Sequence, residues 1–211
     1  MIDTKEKILL TALRLFARDG YEAVSVSTIA GELGMTKGAL YKHYKNKRDI
    51  FDSIVERMYR IDAERSAQYD VPADTYDADA EAYKSVAWDS IRSFTTAQFV
   101  FWTEDDFARS FRRMLTLEQY RNPEMAELYH SCIVDGPVDY MRSIFGEMTA
   151  SGVLTDVDPE LLALEFYSPM FLLIGASDIK QDRKKHLDML NRHMEQFISC
   201  YGRKENYNEV H

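Results

Sequence analysis

Cysteine, proline and glycine are all scarce in this chain, and each scarcity removes a class of fold. Two cysteines in 211 residues, Cys132 and Cys200, cannot staple a small secreted scaffold; lying far apart inside helical patterns, they read as buried free thiols of a reducing compartment. Five prolines and nine glycines leave few places for the tight turns of an all-β domain. No segment alternates apolar and polar over a strand length, whereas i, i+4 apolar patterns recur, so an all-α chain of about nine helices is expected. Long hydrophobic runs are missing too. The longest, Met170 to Ala176, falls well short of the roughly 18 residues of a bilayer-spanning helix, and the N-terminal MIDTKEK lacks the apolar core of a signal peptide. A cytoplasmic protein with no membrane partner is expected. HExxH, P-loop and GxSxG patterns are lacking, as is a Cys/His set at zinc spacing. His186 and His193, two turns apart, read as interface or surface residues. No catalytic residue, metal or cofactor is expected, and an enzyme is the disfavoured reading.

Positive charge is in overall deficit but locally concentrated. The formal net charge is −9, yet residues 1–48 carry nine Lys/Arg against five Asp/Glu, while residues 49–211 carry seventeen against thirty. This predicts a basic headpiece over 1–48 and an acidic body over 49–211, a distribution that offers a polyanion one attractive face. The stretch Ser25–Lys47 carries four lysines against one acid, Glu32. Ser25 is placed to N-cap a short helix with Ile29, Ala30 and Leu33 on its apolar face, and Gly34 to end it in left-handed conformation. Thr36 then N-caps a second helix running to about Lys45. Leu40 and Tyr44 point inward, and Gly38, Tyr41, Lys42 and Lys45 lie on the free face with Lys37 at the entrance. Two short helices and a tight turn, with cations and a phenol outward, predict a helix-turn-helix whose second helix enters a DNA major groove.

Around this motif the chain reads as support. Asp3 and Glu6 suggest a capping box for a helix over 4–19, closed by Gly20 at C′ with Tyr21 covering Phe16. Asn46 and Asp49 start a connector helix over about 47–68. The acidic segment from Tyr69 to Glu81 reads as a solvated loop before a helix over about 79–103, and Phe107, Phe111 and Met114 mark a shorter one. Pro123 opens a helix in which Gly136-Pro137 predicts a kink and Ser151-Gly152 a stop. Asp158-Pro159 starts a helix to about 178 that is apolar nearly all round, hence covered on both sides, by core and by a second subunit. The last helix spans 183–201. Leu173, Leu187, Leu190, Met194, Phe197 and Ile198 are expected to form a dimer seam, two helices from each subunit making a four-helix interface.

The run FARDGYEAVSVSTIA followed by GELGMTKGALYKHYKNKRDIF resembles the N-terminal domain of the tetracycline-repressor (TetR) family of bacterial transcriptional regulators. The likeness covers about the first 55 residues. It departs at Met35, Tyr44 and Thr28, where Val, Phe and an acid are usual. The resemblance implies a three-helix DNA-binding domain and a C-terminal helical domain for ligand binding and dimerisation. It implies a homodimer that binds a (pseudo)palindromic double-stranded operator, most often as a repressor, and lets go when a small-molecule effector binds. Carried onto this chain, Thr36, Tyr41, His43 and Lys47 would meet the DNA backbone, with Ser25 at the start of the first helix. Lys37 and Lys42 would reach guanine, Ala39 a thymine methyl, and Gly38 would allow close approach. Trp88, Arg92, Phe99, Trp102, Tyr129, Tyr140, Phe166 and Met170 would line the effector pocket. Two alternatives stay open: a regulator with no effector, governed by a protein partner, and an activator.

Overall fold

The computed structural model describes residues 3–68, 88–150, 153–179 and 182–202. The expected acidic loop, the first residues of the helix placed at 79, the stop at Ser151-Gly152 and the last residues of the tail lie outside these. The described elements are helical apart from one isolated antiparallel bridge, Leu154 to Gly202. In chain order they are α1 (Thr4–Asp19), α2 (Val26–Glu32), α3 (Lys37–Leu40), α4 (Lys47–Gln68), α5 (Trp88–Glu104), α6 (Asp106–Glu118), α7 (Pro123–Tyr129), α8 (Asp135–Ala150), α9 (Pro159–Ile179) and α10 (Arg183–Tyr201). A π-helical turn, His130–Val134, joins α7 to α8. The chain divides into two compact units, residues 1–73 with 104–131, and residues 74–103 with 132–211. The first unit is thus larger than the headpiece expected to end at 48, because α6 packs along α1 and draws 104–131 in with it.

In the first unit, Ile8, Ala12 and Phe16 of α1, Ile29 of α2, Leu40 of α3, and Ile50, Phe51 and Ile54 of α4 meet in one core with at most 1% of each exposed. α1 ends at Gly20, whose φ of 89° and ψ of 150° suit no residue with a Cβ. Its N–H reaches Phe16 O at 3.0 Å. Gly20 is therefore the cap itself and not the residue after it. The expected ring contact still forms, Phe16 to Tyr21 edge-on at 5.0 Å. The Asp3 side chain makes no capping bond; Glu6 pairs instead with Arg57 of α4, and that guanidinium lies 4.6 Å from the Phe107 ring of α6.

In the second unit, Phe145, Phe166 and Phe197 of α8, α9 and α10 form an interlocked cluster with centroids 5.0 to 5.4 Å apart, and Trp88 of α5 touches Phe145 and Phe197. Pro137 falls at the third residue of α8, and the expected kink takes the form of the π turn just before it. Proline lacks the N–H that would have bonded the Ile133 carbonyl. The Tyr167 hydroxyl donates to that carbonyl at 2.6 Å, in the interior. α9 carries two opposed stripes: Leu162, Ala163, Phe166, Tyr167, Met170, Leu173, Ile174 and Ser177 are buried, whereas Leu161, Leu164, Phe171, Leu172 and Ile179 are exposed. By length and mean hydropathy (1.3) α9 is apolar enough to cross a bilayer, with 44% of that window buried inside the protein.

The seam expected from sequence is only partly at the surface. Leu173, Leu190, Met194 and Phe197 are 6% exposed or less, occupied inside their own subunit, and Leu187 and Ile198 are half-buried. A helix apolar on both faces shows no sign, in sequence, of which stripe its own chain covers. Cys132 and Cys200 are free thiols, but Cys200 is exposed and not buried.

Candidate nucleic-acid interface

Four capping devices set the exposed motif. Ser25 Oγ accepts the Thr28 N–H at 3.1 Å and shares a further bond with the Thr28 hydroxyl at 2.9 Å, so Thr28 supplies a second polar contact where an acid would be usual. α2 closes in a Schellman arrangement: Met35 N–H to Ala30 O at 2.9 Å, Gly34 N–H to Gly31 O at 3.1 Å, with Gly34 at φ 63°. Thr36 Oγ1 then accepts the Ala39 N–H at 3.1 Å and opens α3. Asn46 Oδ1 takes the Asp49 N–H at 2.9 Å while Asp49 returns a bond to Lys45 N–H at 2.8 Å, which starts α4.

α3 is shorter than the expected run to Lys45. It ends at Leu40, and the chain continues through a tightened turn in which His43 N–H bonds Leu40 O at 2.9 Å and Lys42 N–H bonds Ala39 O at 3.3 Å. These i+3 bonds are the ordinary way a short helix satisfies its last carbonyls. Leu40 (0% exposed) and Tyr44 (3%) face the core as expected. The Tyr44 hydroxyl donates to Lys5 O at 3.3 Å, and burial, followed by the charges of Glu6, Asp49 and Asp3, pushes the phenol up to about 12.

Outward lie Thr36, Lys37, Gly38, Tyr41 and Lys42, with Ala39 and His43 partly covered. Lys37 Nζ sits 5.7 Å from the Tyr41 ring. A Cβ on Gly38 would meet nothing nearer than Thr36 Oγ1 at 4.0 Å, so the fold itself leaves that space open. No Asp or Glu occurs from Thr36 to Lys45, and Glu32 on α2 is paired with Arg14 of α1 at 2.5 Å.

Lys47 departs from its expected place on this face. Its ammonium donates to Tyr21 O at 2.8 Å and Glu22 O at 3.4 Å, lies 3.7 Å from the Glu22 carboxylate and caps the Tyr21 ring at 4.2 Å. It clamps the turn after α1 to the start of α4. The neighbouring Arg48 makes a contact that sequence gave no sign of, a bidentate bridge to Glu124 of α7 at 2.5 and 2.6 Å with Nε on Asp52 at 2.6 Å.

The residues expected around an effector are not gathered in one unit. Tyr129 belongs to the first unit and the others to the second. There Phe99, Tyr140, Phe166 and Met170 are buried core residues, Tyr140 against Phe94 at 5.8 Å. Trp88 and Arg92 are partly covered, and so is Trp102, whose ring pairs with Phe101.

An exposed, acid-free cationic face on a capped two-helix motif, in an otherwise helical chain, defines a helix-turn-helix protein. Residues 8–54 match the family described as bacterial regulatory proteins, tetR family. The likeness to that family by sequence is thus confined to the headpiece. Over 56 residues it is 43% identical to the HTH-type transcriptional regulator YerO of Bacillus subtilis, and over 54 residues 44% identical to the regulator AcrR of Shigella flexneri; each match covers 26% of this chain. The matched stretch spans only 19% and 25% of those relatives' own lengths. The fold likeness extends further. A structure of SmeT with triclosan superposes with a TM-score of 0.68 at 18% identity, covering 96% of this chain and 93% of that one. A regulator from Saccharomonospora viridis in complex with choline gives 0.63 at 22% identity, covering 95% and 98%.

Proposed function

We propose that the chain is a homodimeric transcriptional regulator of the bacterial cytoplasm that binds a (pseudo)palindromic operator through α3, acts as a repressor, and is released by a small molecule bound in its C-terminal part. The observation that carries this reading is the α3 face: Lys37, Gly38, Tyr41 and Lys42 exposed together while Leu40 and Tyr44 anchor the helix from behind. Lys37 and Lys42 supply donors for guanine edges or phosphates, Thr36 and Tyr41 hydroxyls for the backbone, and the open space at Gly38 admits the duplex. Dimerisation is supported by the exposed apolar stripe of α9, which a second copy would cover. Release by a small molecule is supported by the fold likeness to SmeT, described as the repressor of a multidrug efflux pump and solved with triclosan.

The test is a binding-site selection followed by anisotropy titrations on the recovered duplex. Lys42→Ala, at an exposed side chain, is expected to change base preference, and Lys37→Ala to weaken binding and shallow the dependence of log K on log salt by about one. An identical preference and an unchanged slope in both variants would contradict the assignment of α3.

A further inference from the structure

The first unit holds a groove that the DNA-binding face does not use. It lies between one side of α4 and one side of α7 with the π turn, is largely open to solvent, and has a volume of about 570 Å³. That volume is within the usual range for small organic ligands, about 300–1,000 Å³. Its apolar wall is Phe51, Val55 and Leu128, with the Tyr59 ring half exposed at its side. Its polar lining is lopsided: Asp52, Glu56, Glu124 and Glu127 against the single cation Arg48. Arg48 already holds Asp52 and Glu124. Glu56 and Glu127 are exposed and have no ion-pair partner among the described residues.

We propose that this groove binds a small amphipathic organic cation, whose charge competes with Arg48 for the Glu124 carboxylate. The apolar wall and the carboxylates specify the occupant jointly. An anion would meet the unpaired Glu56 and Glu127. A bare metal ion would gain nothing from Phe51 and Leu128, and among the described residues no His/Cys/Asp/Glu group is placed to hold one. A positive charge joined to aromatic or aliphatic surface satisfies both sides, through the carboxylates and over the Tyr59 ring.

Occupancy loosens the bridge between the first turn of α4 and α7. Arg48 is four residues beyond Tyr44, the residue that seats the recognition segment. A consequence for DNA rests on the function proposed above; the ligand site does not.

Calorimetric titration of the full chain with tetraphenylphosphonium, and with tetraphenylborate of the same shape and opposite charge, tests the site. The expected result is saturable binding of the phosphonium, weakening as salt rises, and none of the borate. Glu56→Gln with Glu127→Gln, both at exposed positions, should leave the melting temperature unchanged and weaken phosphonium binding roughly tenfold, about 1.4 kcal/mol. Equal affinity for the two ions, or phosphonium binding indifferent to the double substitution, would overturn the proposal. DNA affinity of the ligand-free protein is measured separately, so a failure there counts against the regulator reading and leaves the titration result standing.

Discussion

Lys47 illustrates how a side chain's chemistry is legible while its partner is not. A lysine at the end of a cationic stretch reads as a phosphate contact, but its ammonium is spent on Tyr21 O, Glu22 O and the Tyr21 ring. Those partners lie 25 and 26 residues back in the chain, a separation that no spacing rule covers. Lys47→Ala is therefore expected to lower the unfolding free energy by about 1.5–3 kcal/mol, the usual worth of a charge-assisted bond, read in urea titrations without DNA. No change in the midpoint would return Lys47 to the phosphate role. Tyr44 carries a pH signature. The fold raises its phenol from 10.0 to about 12 and so favours the neutral form. Its contribution is complete below pH 10 and is lost as the pH climbs toward 12. Tyr44→Phe should flatten that alkaline arm of the stability curve while costing under about 1.5 kcal/mol at neutral pH; an unaltered arm would mean that another group titrates.

At the scale of elements, turns written in local chemistry were legible: Ser25, Gly34, Thr36 and Asn46 with Asp49 all cap where their residue types indicate, and Pro123 opens its helix. What escaped were devices set by distant neighbours. Gly20 and Gly34 both need positive φ, yet a Cβ at 34 meets open space while one at 20 would come 2.6 Å from Glu118 Oε1 of α6. Gly34→Ala is expected to cost about 1 kcal/mol from backbone strain alone, and Gly20→Ala more, because φ 89° with ψ 150° is a region open essentially to glycine only; equal losses in thermal denaturation would contradict this account of the α1 cap. The π turn offers a second test. Tyr167→Phe removes the donor to Ile133 O and should cost about 1–3 kcal/mol. In a Pro137→Ala background the restored backbone N–H can serve that carbonyl, so the same substitution should cost less. A double-mutant cycle with no coupling would sink this account of the turn.

For the whole molecule, the all-α class and the order of helices followed from periodicity, whereas the division into units did not. Residues 104–131 join the first unit through packing of α6 on α1 and the Arg48–Glu124 bridge, which sequence patterns do not encode. On α9 the stripe of Leu161, Leu164, Phe171, Leu172 and Ile179 is exposed, and it is the face proposed above for a second copy. Leu164→Lys with Leu172→Lys should leave helicity intact and yield a monomer in sedimentation, whereas a dimer that persists would place the interface elsewhere. The most direct measurement of the central claim, that two copies present the α3 face to one duplex, is a binding-site selection with the wild-type chain. The expected result is an inverted repeat whose half-sites are spaced by about one helical turn. Recovery of no enriched sequence, or of a single asymmetric site, would contradict it.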